Sequence, residues 1–264
     1  MLFLEERNTD QHTSIIFLHG GAGSHVEWKV VAKQESLASY HLILVDLPGH
    51  SGSEELKSYT LEAAADETEK MIREHARGGK AHVVGFSFGG FVALKLAPRH
   101  PDGVLSLFST GAYPYTGMFK WAMSRPRLVW FLENIEIPGL TAMMFRKQGI
   151  DNEEWIAETE KNASWDRFKV MVQELSNFCM DDVRAVAESG VRTLVIAGGK
   201  MDQVDAIAGM GLVLKESAKT GVENKAVVVR EGYHPWHIQL PVLFAAGVQA
   251  WVSGSELPKD FEQL

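Results

Sequence analysis

The sequence predicts an α/β protein: a three-layer α/β/α sandwich around a mostly parallel sheet of about seven strands, with a helical insert. Short apolar runs rich in β-branched residues are typical of strands buried on both faces, and here they alternate with runs of helical spacing. Glycine-rich turns follow several of the apolar runs. Between Tyr113 and about Met180 the strand signals stop, aromatic and methionine residues become dense, and the alternation then resumes. We therefore assign 1–112 and 181–264 to the core and 113–180 to a helical cap.

The elements follow in order along the chain. A short edge strand opens it at Met1–Glu6, and Thr60 and Gly78-Gly79 are expected to cap and end one helix. The tail from Ser253 is expected to be loosely held. The predicted strands are 14–18, 41–45, 81–84, 104–108, 192–197 and 225–230. The predicted core helices are 26–37, 61–77, the run after Ser87, 181–189, 206–218 and 241–252, and those of the insert lie around 119–123, 128–134, 140–147, 153–161 and 165–179.

Composition excludes several classes of protein. The net charge of −8 argues against a nucleic-acid partner, because such binding needs a basic face. The single cysteine, Cys179, excludes an internal disulfide. No apolar run approaches the length of a membrane span, and the first residues lack the features of a signal peptide. We expect a cytoplasmic monomer or homodimer without a membrane partner.

The chain is organised around Gly85-Phe-Ser87-Phe-Gly89, which lies between an apolar strand and a helical run. A strand that turns directly into a helix brings two backbones together, so glycine is needed on both sides of the apex. The apex residue is strained, and its hydroxyl is lifted off the sheet edge. The pattern predicts that Ser87 is a nucleophile.

A serine nucleophile needs a base, and the base needs an orienting acid. Both must lie at the sheet edge that carries Ser87, because sites of such sheets lie beyond the carboxyl ends of the strands. His234 follows the last strand almost directly and is the preferred base over His237. Asp202 follows the preceding strand and is the preferred acid, whereas Asp205 is expected to cap the next helix. For the oxyanion hole we expect the backbone N–H groups of Phe88 and Gly21.

These features together resemble the α/β-hydrolase family, and the resemblance covers nearly the whole core. It rests on His19-Gly20-Gly21, Asp46-Leu-Pro-Gly-His-Ser-Gly-Ser53, Gly85–Gly89, Gly199-Lys-Met-Asp202 and His234–Pro241. The family implies a Ser-His-Asp mechanism through an acyl-enzyme, a cap inserted after the sixth strand, and no cofactor or metal. Three departures stand out: the N-terminus is too short for the usual two opening strands, Tyr233 replaces a common glycine, and Gln239 replaces a frequent acidic residue.

The insert is the main indication of the substrate. Its aromatic and methionine side chains suggest an apolar pocket roof, and we expect substrate contacts at Gly20, Tyr113, Trp121, Trp236 and His237. The resulting hypothesis is a carboxylic ester hydrolase, either an esterase or a lactonase, acting on a hydrophobic small molecule. The alternatives are a carbon–carbon bond hydrolase of vinylogous diketones and a small-molecule receptor derived from such a hydrolase. A haloperoxidase-like or perhydrolase activity would be a side reaction of the same site.

Overall fold

A mixed β-sheet runs through the molecule. The computed structural model describes residues 1–133, 147–150 and 152–264. Within them the sheet has eight strands in the order β1-β3-β2-β4-β5-β6-β7-β8, and only the edge strands β1 and β8 are antiparallel to their neighbours. The strands are β1 (Leu4–Arg7), β2 (Ser14–Leu18), β3 (His41–Val45), β4 (Ala81–Phe86), β5 (Val104–Thr110), β6 (Thr193–Gly198), β7 (Lys225–Val229) and β8 (Phe261–Gln263).

Helices cover both faces of the sheet. One face packs against α1, α2, α7 and α8, and the other against α10 and three short 3₁₀ helices. The predicted α/β class and three-layer arrangement are confirmed. The α-helices within the described residues are α1 (Leu61–His75), α2 (Phe88–Arg99), α3 (Gly117–Met123), α4 (Pro126–Glu133), α5 (Glu153–Lys161), α6 (Trp165–Asn177), α7 (Met180–Ser189), α8 (Val204–Glu216), α9 (Trp236–Gln239) and α10 (Pro241–Ser253).

The strands lie where the apolar runs predict them. Every residue of β2 and β3 is buried, as expected for strands covered by helices on both faces. Thr60 caps α1 by accepting a hydrogen bond from the Ala63 N–H at 3.2 Å, as predicted. Parallel pairing of β2 to β7 brings the carboxyl ends of these strands to one edge, where the candidate site residues lie.

The C-terminal tail differs from its prediction. It is not loosely held: β8 pairs with β7, and the Leu264 N–H donates to the Ala226 carbonyl at 2.9 Å. The Phe261 side chain lies so close to Gly247 of α10 that a Cβ there would be 2.1 Å from the ring. This strand accounts for the difference between the eight strands observed and the seven predicted. A three-residue strand with one buried side chain carries too little periodicity to be read from sequence.

The segment 26–37 also differs from its prediction. It forms 3₁₀ helices at His25–Trp28, Val31–Lys33 and Glu35–Leu37 instead of one α-helix. Three consecutive side chains of the first, those of 26 to 28, are buried. A surface α-helix buries only one face, so burial of a consecutive run favours the tighter, interrupted path.

The insert between β5 and β6 contains α3, α4, α5 and α6. It follows the fifth strand of this chain and not the sixth, because the chain has one opening strand, β1, where the family usually has two. The predicted helix around 140–147 lies, apart from its last residue, outside the described residues. The division into core and cap at 113 and 180 stays a prediction. None of the helices in the described part of the chain is long and apolar enough to cross a membrane.

Candidate active site

Ser87 lies at a sharp turn between β4 and α2. Its backbone has φ 49° and ψ −118°, which is a strained conformation for a residue other than glycine. A Cβ at Gly85 would lie 2.3 Å from the Gly89 carbonyl oxygen, and a Cβ at Gly89 would lie 2.2 Å from the Leu18 carbonyl oxygen. Backbone atoms occupy the space that side chains would need, so both glycines are required, as the sequence predicts. The turn leaves Ser87 partly exposed at the carboxyl edge of the sheet.

The structure brings Ser87, His234 and Asp202 into one hydrogen-bonded row. His234 Nδ1 lies 2.6 Å from Asp202 Oδ1, and His234 Nε2 lies 3.1 Å from Ser87 Oγ. An ionised carboxylate can only accept hydrogen bonds, so Nδ1 carries the proton and Nε2 accepts from the serine hydroxyl. This is the protonation state that a general base needs before it takes the proton of a nucleophile.

Two packed loops hold the acid and the base. Asp202 is buried, and its second oxygen accepts a hydrogen bond from the Gly198 N–H at 2.7 Å. The Lys200 N–H donates to the Gly232 carbonyl at 2.9 Å, which joins the loop after β6 to the loop after β7. The competing candidate, Asp205, lies exposed in the first turn of α8, where its side chain makes no capping hydrogen bond.

The His234 ring is positioned from behind by two residues that the sequence did not single out. Gly111 follows β5 at φ 67°, and a Cβ on it would lie 2.7 Å from His234 Cε1. The Phe86 ring lies 4.9 Å from the imidazole, centroid to centroid. The only sequence signal for Gly111 is a glycine three residues after a predicted strand, 104–108.

Gln239 stabilises the loop that carries His234. Its Oε1 accepts from the Tyr233 N–H at 2.9 Å, and its Nε2 donates to the Glu231 carbonyl at 3.0 Å. A carboxylate could make the first contact but not the second, because it has no N–H to donate. The departure from the family pattern at this position therefore has a structural role in this chain.

The turn after β2 presents the predicted oxyanion donor at Gly21. The Gly20 carbonyl accepts from His19 Nδ1 at 2.7 Å and from the Gly23 N–H at 3.1 Å. A trans peptide points its C=O and N–H in opposite directions, so these contacts turn the Gly21 N–H away from the His19 ring. Among the described residues no group accepts from the N–H of Gly21 or from that of Phe88, the first residue of α2. Both donors remain available to an anion at the positive end of α2.

His19 is held as a neutral imidazole. Its Nε2 accepts a hydrogen bond from the Leu47 N–H at 2.9 Å, so the ring proton is on Nδ1. Burial lowers the pKa of His19 because it disfavours the cation, even though Glu27 and Asp46 act in the opposite direction. Neutral His19 thus connects the turn of residues 19–23, called here the oxyanion turn after its proposed role, to the loop after β3.

The predicted substrate contacts fall into two groups. Trp236 and His237 are fully buried, which does not fit the prediction, because a side chain without exposed surface cannot touch a substrate. Trp236 donates to Thr110 Oγ1 at 2.8 Å, and the His237 ring packs 4.4 Å from that of Phe86. Packing in the protein interior explains the aromatic pattern after His234.

The structure neither supports nor excludes the remaining predicted contacts. Tyr113 is buried, and its pKa is raised to about 12 by burial and by the nearby charge of Asp202. Trp121 is half exposed on α3. Gly20 is buried beneath the turn, where its N–H donates to the Glu27 carboxylate. Substrate contact by these three residues stays a prediction. Glu27 itself carries no sequence signal, since it lies within a segment whose spacing suggested an ordinary helix.

Comparison with known proteins agrees with this geometry. A family model described as "alpha/beta hydrolase fold" matches residues 13–154. A protein of Gibberella zeae named "AB hydrolase superfamily protein" is 30% identical over 261 residues, which cover 95% of this chain and 84% of that protein. A pimeloyl-[acyl-carrier protein] methyl ester esterase of Neisseria meningitidis is 36% identical over 105 residues, or 39% of this chain and 31% of that protein.

Solved structures show the same fold at low sequence identity. A thermophilic esterase from Thermogutta terrifontis superposes with a TM-score of 0.69 at 19% identity, over 96% of this chain and 93% of that one. At this identity the likeness is one of fold alone.

Proposed function

Because the chain belongs to the α/β-hydrolase fold family, we propose that it is a serine hydrolase that cleaves an ester or lactone of a hydrophobic small molecule. The observation that carries the proposal is the hydrogen-bonded row of Ser87, His234 and Asp202 beside two backbone N–H groups, those of Gly21 and Phe88, that no group in the described part of the chain engages. An esterase among the relatives supports the reaction class.

The proposed reaction has two halves. Ser87 Oγ attacks the carbonyl carbon while its proton passes to His234 Nε2, and the carbonyl π electrons move onto the oxygen. The N–H groups of Gly21 and Phe88 bind that oxyanion, and Asp202 stabilises the imidazolium. When the tetrahedral intermediate collapses, the C–O bond breaks and His234 gives its proton to the departing alcohol. Water then repeats the attack on the acyl-enzyme, with His234 again as the base.

Apolar side chains around the site support a hydrophobic substrate. The rings of Tyr113, Tyr115 and Phe119 form a chain with centroid separations of 5.8 Å and 4.8 Å, which leads from beside Asp202 onto α3. The Met171 side chain of α6 lies against Gly21, where a Cβ would be 2.7 Å from the sulfur. Such a lining favours an apolar or aromatic acyl group over a charged one.

Labelling with a fluorophosphonate tests the nucleophile. The wild-type protein should gain the mass of one adduct on Ser87, and Ser87→Ala should fold but gain none. Labelling that persists in Ser87→Ala would refute the assignment.

A substrate panel tests the class of reaction. We expect aromatic and medium-chain esters or lactones to be hydrolysed faster than charged ones, and faster than vinylogous diketones. Preference for charged esters would contradict the apolar pocket, and preference for the diketones would favour carbon–carbon bond hydrolysis.

A further inference from the structure

A buried carboxylate lies directly behind the oxyanion turn. Glu27 is 2% exposed, and its two oxygens lie 3.1 Å and 3.4 Å from the Gly20 nitrogen. The turn wraps closely around it, because a Cβ at Gly23 would lie 2.6 Å from Glu27 Oε2. A buried carboxylate is tolerated only where donors satisfy it, so the Gly20 N–H and the carboxylate hold each other in place.

The orientation of two successive peptide groups is fixed by the Glu27 contact together with that of His19. Glu27 fixes the peptide between His19 and Gly20 through its N–H, and His19 fixes the next peptide through the Gly20 carbonyl. The second peptide carries the Gly21 N–H. Glycine itself resists rotation poorly, so the direction of this donor depends on the groups that hold the peptides on either side of Gly20.

The same carboxylate connects the turn to the insert. Trp155, on α5, donates its indole N–H to Glu27 Oε2 at 3.2 Å, and both side chains are buried. On the other side, His237 Nε2 lies 3.3 Å from Oε1 as an electrostatic contact. Two N–H groups thus donate to this carboxylate, that of Gly20 chiefly to Oε1 and that of Trp155 to Oε2, while the His237 ring lies beside it without a hydrogen bond.

The end of α5 is attached to the same turn by a second contact. Asn162 Nδ2 donates to the Gly23 carbonyl at 3.0 Å, and its Oδ1 accepts from the Ser51 N–H at 2.9 Å. Helix α5 is therefore held against the oxyanion turn at two places, of which Trp155–Glu27 is the one that reaches the Gly20 peptide.

We propose that Glu27 is a positioning residue that holds the Gly20 peptide so that the Gly21 N–H faces the oxyanion. Through its hydrogen bond to Glu27, Trp155 makes this positioning depend on how α5 packs against the turn. The inference rests on the proposed function and extends it from the three reacting side chains to the groups that align the anion-binding turn.

The test compares a ligand that forms an oxyanion with one that cannot. An aryl trifluoromethyl ketone adds Ser87 Oγ to its carbonyl carbon, passes the serine proton to His234 and leaves an alkoxide in the oxyanion hole. The corresponding alcohol has no carbonyl and binds without this step. Affinities for both are measured in wild type, Glu27→Gln, Trp155→Phe and Glu154→Gln, together with amide hydrogen exchange of 19–23 and melting temperature.

Loss of the carboxylate should weaken only the oxyanion ligand. In Glu27→Gln one oxygen is replaced by an NH₂ group, which faces a donor, so the ketone affinity should fall by about 10- to 100-fold. That is below the loss of about 10²- to 10³-fold for removing a whole oxyanion donor. Exchange of the turn amides should accelerate, and the alcohol affinity should not change.

The other two variants separate coupling from general destabilisation. Trp155→Phe keeps an aromatic ring at this position but loses the indole N–H, its hydrogen bond and part of the packed volume, so the ketone affinity should fall by about two- to tenfold. Glu154→Gln is the control on the same helix: it loses the ion pair with Lys29 at the surface and should bind the ketone as wild type does.

Each outcome bears on the inference. Equal losses for ketone and alcohol, or a lower melting temperature with unchanged ketone affinity, would show that Glu27 is merely structural and overturn the proposal. If the wild-type protein neither binds the ketone nor is labelled by the fluorophosphonate, the proposed function is refuted, and the positioning role with it. In the first case the wild-type protein still reacts at Ser87, so the two failures are distinguishable.

Discussion

The packing of Gly111 against the imidazole of His234, the proposed general base, yields the most precise prediction. In Gly111→Ala the new Cβ would lie 2.7 Å from His234 Cε1 and 3.1 Å from Nδ1. Ordinary van der Waals contact begins at 3.4 Å, so the ring must retreat by 0.7 Å, the difference between 3.4 and 2.7 Å. That movement shifts a ring whose two nitrogens lie only 2.6 Å and 3.1 Å from their partners.

The expected effect on catalysis follows from this displacement. A misplacement of about 1 Å in a reacting group lowers the rate about 100-fold, so a shift of this size should lower kcat by about 10- to 100-fold. This corresponds to about 1.4 to 2.7 kcal/mol in activation free energy. The left-handed backbone of residue 111 adds a loss of about 1 to 2 kcal/mol in the free energy of unfolding.

A second glycine separates strain from displacement. Gly78 has a similar φ of 64°, but nothing lies within 4 Å of the position of its Cβ. Gly78→Ala should therefore lose a similar free energy of unfolding and keep its kcat. Urea denaturation and ester hydrolysis measure both quantities. If Gly111→Ala retained the wild-type kcat, or if Gly78→Ala lost as much, the argument from ring displacement would fail.

Three further predictions concern the acid, the tail and a buried histidine. Asp202→Asn should lower kcat by about 10⁴-fold because the wrong tautomer of His234 is favoured, and Asp205→Asn should stay near wild type; the reverse result in ester hydrolysis would move the acid to residue 205. Phe261→Ala should lower the free energy of unfolding by about 3 to 5 kcal/mol, because the ring fills the gap between β8 and α10, and a change within measurement error in urea denaturation would show that β8 contributes little. Burial lowers the pKa of His50 to about 3 in the folded protein. Between pH 6.5 and pH 5 the His50 imidazole therefore binds a proton in the unfolded chain but not in the folded one. The free energy of unfolding should fall by about 2 kcal/mol over this range. His50→Gln should show a flatter pH dependence over this range, and an unchanged slope would assign the loss to other groups.

The parts of the fold that could be predicted were those with a strong local signal. Five-residue apolar runs such as Ser14–Leu18 are unambiguous, because strands buried on both faces need no alternation. The segment 26–37 and the strand at 261–263 were misjudged because their conformations depend on neighbours distant in sequence. The first follows the requirement to bury three consecutive side chains, and the second depends on the free edge of β7.

The residues that the sequence proposes as nucleophile, base and acid lie together in the structure, whereas what surrounds them was predicted less well. Ser87, Asp202 and His234 could be found because each follows a strand, and parallel strands end at one edge. Trp236 was misjudged because an aromatic residue near a base suggests a pocket as readily as it suggests core packing. Gln239 stood out only as a departure from the family pattern, with no role assigned. Glu27 could not be recognised, since nothing local distinguishes a buried acceptor from an exposed one.

The sequence by itself determined the order of the strands from β1 to β7 and of most helices, the strained turn at Ser87 and the polar residues that follow the strand ends. These follow from local sterics and from the periodicity of apolar side chains, which act over a few residues. Only the tertiary structure decided which groups hold the reacting atoms in register. These contacts join residues 6 to 128 positions apart in the chain: Gly111 with His234, Gln239 with Tyr233, and Glu27 with Trp155. Such contacts exist only after the chain has folded, because hydrogen bonds and close packing depend on separations of a few ångströms that no local pattern encodes.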